Sequence, residues 1–399
     1  FIAAGSASGT VSINAPDDVY VGGQPAITKA ITDITVAGDK QFENLVASKA
    51  AVTTTVTDEP AGQGDLVQVN IVADQVSVNE ATAPTFTLSL NRALDKDLTV
   101  TLSNNATVVF KAGELTKTYT AAAQGDDVFK DEGKLEIGIA KAEVPNAKFE
   151  NLVLGAPASV NITDTISKVT AVLAVDNTTV VEGGKITYTV TLVSEDTSLP
   201  VTGHGGVTVT LTGGTQVFIA AGSASGTVSI NAPDDVYVGG QPAITKAITD
   251  ISVAGDKQFE SLVGSKTAVT TTVPDEPSGQ GDVTTVGISG TTSLTEGETA
   301  HYTLTLSNPS QSEVTVTLSY SGTAKNGEDF TGVTTVKIPA NSSGVTFDVP
   351  TIDDKLVEGT ENFTVKIESA TGGDFENLQV NDSKGSVTTA ILDNDNLPV

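Results

Sequence analysis

The chain has 399 residues, a formal net charge of −28, two histidines, and no cysteine, methionine or tryptophan. Such a charge repels a phosphate backbone and excludes nucleic acid as a partner; without cysteine there are no disulfides to add stability. No run approaches the roughly 20 apolar residues of a membrane span, and the N-terminus shows no charged-then-apolar leader, so the expectation is a soluble segment that inserts in no membrane and whose export signal lies outside it.

In chain order, residues 1–65 recur as 218–282 with about six substitutions, so Phe1 aligns with Phe218. The complete copy starts near Ser167, so a first module, 1–60, is expected to lack about fifty residues carrying its first strands and to expose a sheet edge. A second module, 66–165, offers the alternating runs Phe86–Leu90 and Leu98–Leu102. The third, 167–277, offers Ile186–Leu192, in which Ile186, Tyr188, Val190 and Leu192 share one face, and Val207–Leu211. The fourth, 283–395, offers Tyr302–Leu306 and Val314–Leu318. Short strands separated by Gly, Asn and Asp turns predict an all-β chain of tandem Ig-like Greek-key β-sandwiches. The linkers Asp58–Asp65, Thr163–Lys168 and Asp275–Asp282 are short, so neighbouring repeats become each other's partners and an elongated rod is expected.

Each copy carries the same acids at a period of about 110 residues, a domain-sized spacing. A Phe-Glu-Asn/Ser-Leu tetrapeptide recurs as Phe42–Leu45, Phe149–Leu152, Phe259–Leu262 and Phe375–Leu378. Its Phe and Leu are expected in the core, with Glu and Asn in an irregular turn. Upstream lie the pairs Asp17-Asp18, Asp126-Asp127, Asp234-Asp235 and Asp353-Asp354; downstream a strand ends at Asp58, Asp164, Asp275 or Asp393. An early glutamate opens the complete copies: Glu80, Glu182 and Glu296. Asp131, Glu132, Glu276, Asp329, Glu358 and Asp395 add to these sets. Calcium takes six to eight oxygen ligands, and a Greek key brings distant residues together at one end of a sandwich. If the acids share that end, their crowding requires a divalent cation. Taken singly, each Asp pair fits an ordinary turn better than a metal site; the set points to metal because the divergent second and fourth copies keep it. The first copy retains Asp17, Asp18, Asp58 and Glu59 without the early glutamate, so its site is expected to be weak or missing.

Leu294–Glu298, Gly322–Phe330, Thr351–Gly359 and Ile391–Asp395 resemble a Calx-β domain. That resemblance implies calcium-binding roles for Glu296, Asp329, Asp353, Asp354, Glu358, Asp393 and Asp395; Asn394 departs from it, since the family often has an acid there. The repeats containing Val201–Gly206, Ala232–Pro242 and Thr270–Asp275 are similar to modules of large bacterial biofilm adhesins of the LapA type. That similarity covers 1–65 and 167–282 closely and 66–165 more loosely, and the second copy lacks the Tyr-Val-Gly-Gly stretch. It implies type I secretion of an RTX-like adhesin, an extracellular position on the bacterial surface, and a non-catalytic extender role.

Two other functions compete. Direct binding of polysaccharide or extracellular matrix would favour exposed rings, yet there are six tyrosines and no tryptophan; Tyr20, Tyr237 and Tyr320 are the candidates, with core or turn roles as the alternative. Catalysis is the weakest reading. His204 and His301 lack a recurring Ser/Asp setting, and the acids lack the aromatic-walled cleft of a glycosidase.

Overall fold

The computed structural model describes residues 1–60, 62–277 and 279–395; Ala61 and Ser278, in two of the linkers, lie outside the described residues. Among the described residues the backbone is strand, turn and irregular segment, without helix, and no helix is long and apolar enough to cross a membrane. The chain divides into two compact units.

The first unit comprises Phe1–Lys168, Asp196–Pro200 and Lys257–Ser261. On the strands Leu66–Ala73 and Thr85–Leu90 the period-2 pattern turns Val67, Val69, Ile71, Phe86, Leu88 and Leu90 inward, all buried. These strands lie in a four-stranded sheet of order Asn151–Leu154, Leu66–Ala73, Thr85–Leu90, Thr116–Thr120. The same core takes Leu98, Val100, Leu102 and Phe110 from the sheet Ile139–Glu143, Leu98–Leu102, Thr107–Phe110. It takes Ile137, Val160 and Ile162 from the sheet Ser77–Asn79, Ala158–Thr163, Gly133–Ile137. Each such side chain contributes roughly 1.5–3 kcal/mol when fully buried, so a core poor in aromatics suffices. Residues 1–60 form one short antiparallel ladder, Ile27–Lys29 with Val52–Thr54, and leave Phe1, Val11 and Phe42 exposed. Val19 and Tyr20 are different: both are buried in the core of residues 66–168.

The second unit comprises Val169–Glu195, Val201–Asp256 and Leu262–Val399. Ile186, Tyr188, Val190 and Leu192 are buried on the strand Lys185–Ser194, as their alternation predicts, and that strand pairs with Lys168–Val175 and Ser225–Asn231. The last repeat sets a four-stranded sheet (Gly344–Pro350, Thr299–Leu306, Val283–Gly290, Asn377–Val380) against a five-stranded one (Ser293–Thr295, Ser386–Leu392, Glu361–Gly372, Val314–Gly322, Thr335–Ile338). Its core holds stacked rings: Tyr302 on Phe347 at 5.3 Å and Phe330 on Phe363 at 4.3 Å between centroids.

The Phe-Glu-Asn/Ser-Leu segments correct the expected irregular turn. Asn151, Ser261 and Asn377 each begin a strand. Two of these are paired parallel with the opening strand of their own repeat, Asn151 opposite Leu66 and Asn377 opposite Val283. Phe42–Leu45 lies outside any strand, with Phe42 and Leu45 exposed.

Candidate metal centres

Sheet topology explains why an early glutamate meets an acid about ninety residues later. A short early strand runs parallel to the last one, with Asn79 opposite Thr163 and Thr295 opposite Leu392; in the third repeat Thr179 bridges Thr272 in the same sense. The glutamate N–H then donates to the carbonyl just before the terminal acid: Glu80 to Thr163 (3.0 Å), Glu182 to Pro274 (3.1 Å) and Glu296 to Leu392 (3.1 Å). Parallel strands in register therefore deliver both acids to one end of the sandwich.

In the second unit, Glu182 brings an oxygen within 4.8 Å of those of Asp275 and Glu376, and another such group joins Glu182, Asp234 and Glu276. Glu182 is 3% exposed. Its Oε2 accepts from the Asp235 N–H at 3.1 Å, while Oε1, together with Glu276 Oε2 and Glu376 Oε1, is buried without a donor. Burial, then repulsion from Asp235 and Asp275, raises the Glu182 pKa; burial, then Asp282, Glu276 and Asp235, raises that of Asp234. Gly183 adopts a left-handed conformation (φ 66°) that places Asp234 Oδ2 only 3.0 Å from where a Cβ would stand. A side chain there would crowd the aspartate out.

In the first unit, Glu80, Asp131 and Asp164 form the corresponding group. Glu80 is fully buried. Its Oε1 accepts from Thr165 N and Oγ1, each at 3.2 Å, and its Oε2, like Glu260 Oε1, has no donor. Burial first, then the charge of Asp131 and the facing Glu260 carboxyl, push Glu80 up to about 7. Thr165 Oγ1 also donates to Asp126. The acids of residues 1–60 form no such group among the described residues. Asp17, Asp18, Asp58 and Glu59 line an open cleft with Glu150, and Asp58 accepts from the Gly22 N–H at 2.6 Å.

The last repeat holds two groups, Glu296–Asp393–Asp395 and Asp329–Glu358–Glu361; all of these but Asp395 line one small cavity, which Asp354 also lines. Burial, then Asp329, Asp354, Glu296 and Asp393, raises the Glu358 pKa. Asp393 is lowered by the N–H groups of Gly359, Asp395 and Glu358. Asn394, where the Calx-β resemblance calls for an acid, donates its backbone N–H to Glu296 Oε1 (3.2 Å) and its amide to Asp353 Oδ1 (3.2 Å).

The sequence-predicted set therefore divides. Glu80, Asp164, Glu182, Asp234, Asp275, Glu296, Asp329, Glu358, Asp393 and Asp395 converge in the close groups; Asp17, Asp18, Asp58, Asp126, Asp127, Asp235, Asp353 and Asp354 fall outside them. The second aspartate of each pair has a local duty. Asp18, Asp127, Asp235 and Asp354 accept the N–H two residues on, from Tyr20 (2.8 Å), Phe129 (2.5 Å), Tyr237 (2.8 Å) and Leu356 (2.6 Å), which makes them Asx-turn residues.

Sequence reasoning missed Glu260, Glu361 and Glu376. Two of these belong to the recurring tetrapeptide, and their signal was the Glu conserved beside Phe in every copy. The aspartate-pair loop meets the tetrapeptide of the next copy in one way three times. Tyr20 stands against Phe149 (5.6 Å), Phe129 against Phe259 (4.8 Å) and Tyr237 against Phe375 (5.6 Å). Paired backbone bonds flank each contact: Val21 to Lys148 and Glu150 to Val19, Lys130 to Gln258 and Glu260 to Val128, Val238 to Asp374 and Glu376 to Val236, all 2.8–3.1 Å. The tetrapeptide glutamate accepts a linker N–H each time, from Asp65, Ser167 and Asp282. Tyr20 and Tyr237 are thus joint residues, and Tyr320 bonds the Val333 carbonyl at 3.0 Å.

The all-oxygen donor set, with several buried carboxyl oxygens lacking a donor, fits a hard cation such as calcium. Among protein families, the one described as LapA domain matches residues 1–59, 65–165, 168–276 and 282–394, reaching the last repeat as well as the others. A comparison with curated proteins gave no match. Among solved structures the chain is similar to the apo-form Calx CBD1 domain (20% identity, 29% of this chain and 100% of that one, TM-score 0.25). It is similar to CBD12 from CALX1.2 (12% identity, 55% and 98%, TM-score 0.25) and to the Yersinia pseudotuberculosis adhesin InvE (17% identity, 57% and 58%, TM-score 0.18). At these TM-scores the structural likenesses carry no functional argument.

Proposed function

The chain belongs to the LapA domain family, and from that premise we propose that it is a series of non-catalytic extender repeats of a bacterial surface adhesin, stiffened at their joints by calcium. One observation carries the reading: in successive repeats an early glutamate and a terminal acid, far apart in sequence, are gathered around buried carboxylate oxygens that have no donor. Leaving such charges unpaired costs several kcal/mol per ion, so a bound cation stabilises the fold that gathers them. Glu80, Asp131 and Asp164 would hold it in one place, Glu182, Asp234, Asp275 and Glu276 in another, and Glu296, Asp329, Glu358, Asp393 and Asp395 in the last repeat. Calcium, when bound, supplies the positive charge these oxygens otherwise lack. Because Asp164 and Asp275 lead directly into linkers, fixing these acids restricts bending of the chain there. The role is mechanical: repeats at the cell surface would space an adhesive region from the cell during attachment and biofilm formation, with neighbouring repeats as their immediate partners.

Calorimetric titration with calcium, and thermal melts with calcium and with chelator, test this reading. Saturable binding with a raised melting temperature is the expected result. Superimposable melts and no binding heat would overturn it.

A further inference from the structure

The third and fourth repeats share one acidic group in the second unit, and its members come from both. Glu182 and Asp275 belong to the third repeat and Glu376 to the fourth, yet their oxygens lie within 4.8 Å of one another. Glu376 is set there by its neighbours. Phe375 stacks on Tyr237, the Glu376 N–H donates to the Val236 carbonyl at 3.1 Å, and Glu376 Oε2 accepts from the Asp282 N–H at 2.7 Å. The remaining oxygen, Oε1, is buried without a donor, as is Oε1 of the almost fully buried Glu182. In the first unit the tetrapeptide residue Glu260 likewise faces the buried Glu80 across the joint, although the close acidic group there is Glu80, Asp131 and Asp164.

We propose that the tetrapeptide glutamate is a metal ligand donated across the joint: Glu376 completes a divalent-cation site begun by Glu182 and Asp275, so that binding the cation and docking the next repeat are one linked equilibrium. The inference rests on the calcium reading above and adds to it who supplies the ligand. Without a cation, three carboxylates converge and oppose docking; burial, then Glu276, Glu182 and Asp275, already raises the Glu376 pKa. With the cation bound the same residues attract. Linkage is reciprocal, so any factor by which docking tightens the cation is also the factor by which the cation tightens docking.

The test uses the full chain. Glu376→Gln keeps an acceptor for the Asp282 N–H and removes the charge. Glu43→Gln, at the same tetrapeptide position in residues 1–60, is the control, since Glu43 is exposed and belongs to no close acidic group. Calcium calorimetry is expected to show one class of sites weakened at least about ten-fold by Glu376→Gln, and the wild-type isotherm for Glu43→Gln. The chain lacks cysteine, so dyes placed by Thr227→Cys and Thr346→Cys, both exposed, report motion between the two repeats. Calcium is expected to narrow their distance distribution in the wild type and to leave that of Glu376→Gln broad. If Glu376→Gln binds calcium as the wild type does while Glu182→Gln loses a class of sites, the cross-joint ligand is refuted and the calcium reading survives. If the wild type takes up no calcium, both fall.

Discussion

Removing the buried Glu80 charge from the first unit should stabilise it. In the unfolded chain Glu80 ionises near 4.5, whereas burial beside Asp131 and the facing Glu260 holds it protonated up to about 7. Between those two pH values the unfolded chain has released a proton that the folded chain retains. The fold therefore loses stability as pH rises from about 4.5 to about 7, and the loss is complete above that. At about 1.4 kcal/mol per pH unit, the difference between 4.5 and about 7 sets a ceiling of about 3 kcal/mol. Glu80→Gln keeps the carbonyl that accepts from Thr165 and offers an amide toward Glu260. In chelator at pH 8 the variant should thus melt higher than the wild type, by about 5–10 °C if the whole ceiling is realised in a unit of this size. At pH 4.5 the gap should close. With calcium the order should reverse, because the variant has lost a ligand. Melts followed by circular dichroism across these conditions decide the matter. A variant that melts lower than the wild type in chelator at pH 8, or a gap that ignores pH, would refute the reasoning.

The aspartate pair should separate cleanly into two roles. Asp235→Ala loses the Asx bond to the Tyr237 N–H and should cost about 1 kcal/mol with or without calcium, read from urea midpoints. Asp234→Asn should cost nothing in chelator, since its pKa is raised by burial and by Asp282, Glu276 and Asp235, yet should reduce the calcium-induced rise in melting temperature. Tyr237→Ala removes the ring stacked on Phe375 and should destabilise the second unit by about 1–2 kcal/mol, with weaker calcium binding in the same titration. Gly183→Ala forces a side chain into a left-handed backbone beside Asp234; a loss of about 1–2 kcal/mol and a displaced aspartate should lower both stability in chelator and calcium affinity.

Much of the sandwich could be read from the sequence because burial and spacing are the same information in a strand. The alternation of Ile186, Tyr188, Val190 and Leu192 names the inward face directly, and all four are buried. The gathering of Glu80 with Asp164, and of Glu296 with Asp393, was legible as recurrence, although the parallel pairing that causes it leaves no local mark. The aspartate pairs were legible only in part. Two adjacent acids look alike in sequence, but a chain that turns after them uses the second to hold its own N–H and leaves the first to face its neighbours. Glu260 and Glu376 were hidden for another reason. Their partners lie in the preceding copy, and composition within one repeat carries no trace of what the next repeat contributes.

That hidden link follows from how the backbone is held at the joint. Phe375 bridges Tyr237 and the chain then bends at Glu376 before the strand that begins at Asn377, so the phenylalanine and the glutamate make different contacts. Backbone bonds from Val238 to Asp374 and from Glu376 to Val236 fix the segment against the aspartate-pair loop. With the phenylalanine turned onto Tyr237, the glutamate is turned toward Glu182 and Asp275. Apolar docking and acid convergence are therefore two faces of one short pairing. The apolar face favours contact at any ionic condition, while on the proposed calcium reading the acidic face would oppose it until a cation is bound. On that reading, such a joint would keep its register when calcium is withdrawn and lose its stiffness, since the ring pair and backbone bonds would remain while the carboxylates repel.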